Sequence, residues 1–175
     1  LNIGDNYLKM GIYDSSRLYL DSAIYFSKKY NKSTKTEGYV NYWIGEIYYA
    51  QQKYDKALDY FKSSHEIRLA YNDIDDQTYT YLGIGKTLVK LGKQKEALVY
   101  LKQAIENAKN ARARKRIMMS HSELAELYYS QKDYKNSIYH LKKYLLLKDS
   151  IFNDEKAMAI MNARTEFDVE NKEKA

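Results

Sequence analysis

The chain has 175 residues, 45% of them hydrophobic and 30% charged, a composition that suits one globular domain and excludes a disordered polar tract. Cysteine is absent, which removes disulfide frameworks, thiolate metal sites and cysteine nucleophiles from consideration; proline is also absent and glycine numbers only 7, so the strong breakers of long helices are nearly missing. The net charge of +6 and pI near 9.1 would favour acidic partners, but the lysines are interleaved with 23 acidic residues along the whole chain, as on a solvated helical surface.

In chain order, the first recognisable unit opens with Ile3-Gly4-Asp5-Asn6-Tyr7 and continues through Tyr13-Asp14-Ser15-Ser16 to Leu20. The same pattern returns as Ile44-Gly45-Glu46-Ile47-Tyr48, then Tyr54-Asp55-Lys56-Ala57 and Phe61. A third copy places Ile84-Gly85 and Leu88 before Ala97 and Leu101, and a fourth places Leu124-Ala125 and Tyr128 before Ser137 and Leu141. Ala57, Ala97 and Ser137 recur every 40 residues, and Ser16 precedes Ala57 by 41. A fixed period of this length is the mark of a stacked-repeat architecture.

Within a unit the apolar spacing predicts two helices and a tight turn. In the second unit a helix over Tyr39 to Gln51 is followed by a turn at Gln52-Lys53 and a helix over Tyr54 to Ala70. Leu91-Gly92-Lys93 and Gln131-Lys132-Asp133 mark the corresponding turns of the third and fourth units, with glycine suited to closing a helix. Asn72-Asp73-Ile74-Asp75-Asp76 supplies the turn between units. Gly45, Gly85 and Ala125 on the first helices and Ala57, Ala97 and Ser137 on the second are expected where paired helices approach closely. Tyr48, Phe61, Leu88, Leu101, Tyr128 and Leu141 are expected to fill the space between them.

These residues resemble the tetratricopeptide repeat, whose W-x2-L-G-x2-Y and A-x3-F signature is matched by Ile44-Gly45-x2-Tyr48 and Ala57-x3-Phe61. The resemblance covers residues 1 to about 147. It departs from the family in its period of about 40 rather than 34 and in lacking the proline that closes a unit; extra turns on both helices account for the first. The implied fold is all-α, a right-handed superhelix of about four units (1–34, 35–73, 74–112 and 113–148) followed by a terminal segment, 149–175. The opening at Leu1, inside a helix and without a basic-then-apolar leader, leads us to expect a piece of a larger protein.

At the other end, Asp149-Ser150 resembles a helix start and predicts a separate helix from Ile151 to about Lys172, either capping the stack or leading toward an output module. The run Tyr144-x3-Leu147-Lys148-Asp149-Ser150-Ile151-Phe152, with Glu155-Lys156 and Thr165-Glu166-Phe167-Asp168, is similar to the segment that joins such repeats to a coiled coil and a histidine-kinase or helix-turn-helix output domain in bacterial regulators. That likeness implies a sensory domain, a homodimer through the terminal helix of the full-length protein, and membrane contact only through a segment outside this chain. The compartment would be periplasmic for a membrane-anchored sensor and cytoplasmic otherwise. A stand-alone adaptor is the alternative.

In the family, ligands lie in the groove lined by the first helices. Mapped here, that face comprises Asp5, Lys9, Tyr39, Tyr42, Trp43, Glu46, Tyr49, Tyr79, Leu82, Lys86, Val89, Met119, Ser122, Glu126 and Tyr129, a set suited to a peptide or protein ligand. The lysine and asparagine clamp that family members use for chaperone tails is not reproduced. The basic run from Lys109 to Arg116 could meet nucleic acid, but it lacks interleaved aromatics and falls at a unit junction, so a solvated turn is expected and no direct nucleic-acid contact. His65, His121 and His140 occur singly in sequence, and neither a metal, a cofactor nor an enzymatic role is assigned.

Overall fold

The structure, a computed structural model, describes residues 34–72 and 74–173, together with Tyr13, Leu18, Leu20, Ser22, Tyr25 and Lys29, which are helical. From Thr34 onward, six helices follow one another among the described residues: α1 (Thr34–Ala50), α2 (Tyr54–Ala70), α3 (Ile74–Lys90), α4 (Gln94–Asn110), α5 (Arg114–Ser130) and α6 (Tyr134–Glu173). The first five are each 17 residues long. Two such helices, each followed by a three-residue turn, make up the 40-residue period. Most of the expected first unit, 1–34, lies outside the described residues.

The turns repeat one backbone solution. Gln52, Asn72, Gly92, Arg112 and Lys132, spaced every 20 residues, all have positive φ, between 51° and 72°. The left-handed residue reverses the chain so that its own amide and the next one bond back into the helix just ended. Lys53 N–H donates to Tyr48 C=O and Gln52 N–H to Tyr49 C=O, both at 2.9 Å; the same pair of bonds closes the helices before Gly92, Arg112 and Lys132. Only one of the five positions is glycine, so the carbonyls satisfied at each helix end outweigh the left-handed strain of about 1–2 kcal/mol on the other residues. Between units the turn is shorter than expected: Ile74, Asp75 and Asp76 already form the first turn of α3.

Close approach of the helices follows from small residues. Ala57 and Ala97 are fully buried, and Ser137 is 9% exposed with its hydroxyl donating to Ala125 C=O at 2.9 Å. A Cβ at Gly45 would stand 2.7 Å from the Phe61 ring, one at Gly83 2.9 Å from the other side of the same ring, and one at Gly85 2.6 Å from Leu101. Phe61, from α2, is therefore clamped between α1 of its own unit and α3 of the next. Phe61, Leu88, Leu101, Ala104 and Leu124 belong to one continuous core running through all three described units. A second cluster joins Leu20 of the first unit to Val40, Ile44 and Ile47 of α1.

Two expectations at the C-terminal end are corrected. Helix α6 is a single 40-residue helix, and Asp149-Ser150 lies in its interior rather than starting a helix. Its N-terminus is at Asp133, whose carboxylate accepts the Asn136 N–H at 3.2 Å. With no proline or glycine after Gly92, nothing in the chain stops α6 at 149. Leu141, expected to fill a space between helices, is 46% exposed. It occupies the register of Phe61 and Leu101, but among the described residues no further helix covers α6 on that side.

Gly45→Ala should lower folding stability by about 1–3 kcal/mol despite the better helix propensity of alanine, because Gly83 on the far side prevents the Phe61 ring from yielding. A urea-denaturation midpoint equal to or above wild type would show that the ring is not clamped.

Candidate functional site

The first helices α1, α3 and α5 lie side by side, each touching the next, and present one wall. Charged pairs link them across. Lys86 Nζ on α3 donates to both carboxylate oxygens of Glu46 on α1 at 2.8 Å and sits 4.3 Å from the centre of the Tyr49 ring. One turn further along α3, Lys90 Nζ pairs with Glu126 on α5, and the hydrogen bond to Glu126 raises the Lys90 pKa. Burial raises the Tyr49 phenol, with Glu123, Tyr54, Glu126 and Glu46 adding to it, so the hydroxyl stays protonated as a neutral donor.

The expected groove residues divide into two groups. Tyr49, Lys86, Met119, Ser122, Glu126 and Tyr129 are on the wall with their side chains at least partly open; Met119 is 45% and Tyr129 66% exposed. Leu82 is a correction: at 4% exposure it belongs to the core, because α3 is flanked on both sides and has a narrower open stripe than the repeat pattern suggests. Val89 and Tyr42 also pack against that core, and Trp43 packs against the cluster around Leu20. Burial, followed by the charge of Glu46 and a hydrogen bond to it, raises the Tyr42 phenol. Asp5 and Lys9 lie outside the described residues.

Tyr39, Tyr42 and Tyr79 have a partner that sequence pattern alone missed. The guanidinium of Arg68, on α2, lies 4.9 Å from the centre of the Tyr39 ring, 5.2 Å from Tyr42 and 6.0 Å from Tyr79. Arg68 is 4% exposed, and its Nη1 donates to Asp76 C=O at 2.6 Å while the Tyr39 hydroxyl donates to the Asp76 carboxylate at 3.0 Å. Cation–π attraction and hydrogen bonds together offset the burial of the charge. The signal was present: Ala108 holds the equivalent register in α4, so an arginine at 68 departs from the repeat.

The basic run is a turn at 111–113 followed by the start of α5. Three of its cations have partners within the fold: Arg114 pairs with Asp154 and donates to Ser150 at 2.6 Å, Lys115 pairs with Glu155, and Arg116 lies 4.3 Å from the centre of the Tyr79 ring. These contacts hold the middle of α6 against α5 and border a cleft of about 520 Å3 whose floor is Tyr79, Met119 and Ile151.

The histidines are not all isolated in space. His121 on α5 and His140 on α6 meet Nδ1 to Nδ1 at 2.8 Å, with Tyr128 stacked on His140. Burial lowers the His121 pKa, as do His140, Lys109 and Lys143, to about 4; burial and Lys102 lower that of His140. His65 bonds Thr80 at 2.8 Å and packs on Tyr81. Among the described residues no group of three or more histidines, aspartates or glutamates could hold a metal ion, and no helix is long and apolar enough to cross a membrane.

This architecture is that of a tetratricopeptide-like helical-repeat protein. The sequence profile of the tetratricopeptide repeat matches residues 38–110, the stretch from α1 through α4. The chain is similar in fold to BtubC from P. vanneervenii, at 16% identity and a TM-score of 0.72, over 84% of this chain and 60% of that one. It is likewise similar to aspartyl phosphate phosphatase F from Bacillus subtilis, at 13% identity and a TM-score of 0.75, over 86% of this chain and 39% of that one. The chain thus spans less than two thirds of the length of either neighbour, and at these identities the likeness concerns the fold. No curated protein sequence matches the chain.

Because both histidines bind protons less readily folded than unfolded, the unfolded chain takes up more protons as pH falls below the ordinary value of 6.5. Their contribution to stability should be complete above pH 6.5 and be lost as pH falls toward 4. Urea midpoints of wild type and His140→Phe measured between pH 7.5 and 4.5 should converge on acidification; a constant gap would refute the assignment.

Proposed function

We propose that the α1–α3–α5 wall binds a peptide or an extended segment of another protein. One observation carries this reading: side chains of all three first helices, joined by the Lys86–Glu46 and Lys90–Glu126 pairs, form one polar and aromatic face whose outer members Tyr129, Met119, Ser122 and Glu126 remain exposed. Half-open tyrosines supply contact area at small entropic cost, and the charges set register along a bound chain. Tetratricopeptide repeats are protein-interaction modules, which agrees with binding rather than catalysis.

In the full-length protein this wall is proposed to be the input face of a bacterial signalling or transcription-regulating protein, with α6 as the element that carries the response. The support is the sequence likeness of residues 144–168 to such linkers and the length of α6, roughly 60 Å at the helical rise. Every described side chain from 152 to 166 is exposed, including Phe152, Met158, Ile160 and Met161, each more than 60%. A helix this apolar and this bare suits pairing with its copy in a homodimer.

Selection from a random dodecapeptide library should yield binders whose affinity falls at least tenfold in Tyr129→Ala and is unchanged in Lys102→Ala, on the second-helix side. Binders indifferent to Tyr129 and the rest of the wall would place recognition elsewhere. For α6, sedimentation equilibrium should show a dimer that the double substitution Met158→Glu, Met161→Glu dissociates; a monomeric wild type would dismiss the pairing.

A further inference from the structure

At the end of the wall where α5 begins, the cleft of about 520 Å3 opens between three helices. Its floor takes Tyr79 from α3, Met119 from α5 and Ile151 from α6. Tyr79 and Ile151 are half-buried, while Met119 is 45% exposed. Two of these three side chains belong to the wall and the third does not. Among the described helices α6 packs on α5 alone, so the cleft is a place where α3 and α6, which do not pack on each other, border the same space. A group seated there touches the wall and α6 together.

Charge and size decide what the space can hold. Arg114 and Lys115 on α5 pair with Asp154 and Glu155 on α6 along its border, and the Arg116 guanidinium lies on the Tyr79 ring. Each charge that lines the cleft already has a partner, so an entering charged group would lose water and find no counter-ion waiting. An apolar group would instead cover Met119 and Ile151 and gain by that burial. The volume equals a cube about 8 Å on edge, narrower than the roughly 10–12 Å of a helix with its side chains. A helix of a second copy is therefore too wide to enter, whereas one bulky side chain, or two neighbouring ones, fits. The flexible thioether of Met119 adapts to a ring or to a branched chain.

From this we infer that the cleft is the anchor pocket of the wall: it takes an uncharged, bulky side chain of the bound segment, aromatic or long aliphatic, which rests on Ile151 and ties α6 to the occupied wall. This rests on the wall being a peptide site. Anchors seated in a pocket carry a large share of the binding energy at such interfaces, and here Arg116 on Tyr79 holds part of the floor in place beforehand. The tie to α6 follows from how lightly that helix is held. The Arg114–Asp154 and Lys115–Glu155 pairs are exposed and so contribute little, and every described side chain from 152 to 166 is exposed. A ligand group bearing on Ile151 binds the docked position of α6 better than a displaced one, and that difference shifts the helix toward the docked position.

The test starts from the tightest dodecapeptide selected from a random library against the wild-type chain, resynthesised with alanine at each position in turn. One bulky apolar position should lose at least tenfold in affinity for wild type, and the loss should shrink to about twofold in Ile151→Ala. Photo-leucine at that position should cross-link to residues 113–119 or 151–155 of the wild-type chain, a readout that needs no variant to fold. At saturation, hydrogen exchange of the amides from 152 to 166 should slow at least threefold with the original peptide and stay at the free rate with the alanine version. Losses confined to charged or small positions, cross-links confined to the rest of the wall, or an apolar loss undiminished in Ile151→Ala would overturn the anchor pocket while leaving the wall as a peptide site. Exchange slowed equally by both peptides, or by neither, would overturn the tie to α6. A library that yields no binder at all would overturn the peptide-site reading itself and the inference with it.

Discussion

The contact on which the stack depends is the Phe61 ring held between the bare Cα atoms of Gly45 and Gly83. An aromatic ring needs the thickness of its own van der Waals surface on each face, and only residues without a Cβ allow two helices to close on it from both sides. That contact sets the spacing of α1 against α2 and of α2 against α3 together. Gly85 against Leu101 and Ala125 against Ser137 repeat it in the next units with different partners, which is why the pairs pile up at nearly constant separation. Each pair contacts its neighbours only, so stability is distributed along the stack.

Once the spacing is set, the first helices must lie together as one wall, and side chains that depart from the repeat become informative. Arg68 stands where the next unit has alanine, and reaches between the helices to serve three tyrosines of the wall. Glu123 stands where earlier units have tryptophan and glycine, and its Oε2 is buried without a hydrogen-bond partner among the described residues. Regular positions build the scaffold; irregular ones give this scaffold its particular chemistry. Arg68 makes its contacts to the ring faces and to Asp76 within the chain, which makes it a packing residue.

Helix α6 shows what happens where the stack runs out of partners. Its first half buries one side against α5 while Ile138, Leu141 and Leu145 face outward in the register that α2 and α4 bury under a following unit. Among the described residues, the ion pairs Arg114–Asp154 and Lys115–Glu155 are the last ties to the body. Beyond them the helix continues on its own backbone hydrogen bonds, because a helix already nucleated by a packed first half propagates cheaply through residues such as Ala157, Ala159 and Ala163 that favour it.

Spacing alone determined the helical class, the 40-residue unit, the turns at Gln52, Gly92 and Lys132, and the small residues at the interfaces, because these depend on local backbone preference and on periodicity, both written in order along the chain. It also placed Tyr129, Met119 and Glu126 on an exposed helix face, since their face follows from helical phase. Tertiary structure alone decided the rest. Whether Leu82 is open or buried depends on neighbours on both sides, and whether His121 is solitary depends on His140, 19 residues away and on another helix. The continuity of α6 through Asp149-Ser150 was decided by an uninterrupted helix that already had its cap at Asp133, so a good capping residue found no free end to cap. Charge pairing was the last thing to emerge: which carboxylate meets which lysine is a property of distances between helices, and no count of lysines and glutamates along the chain contains it.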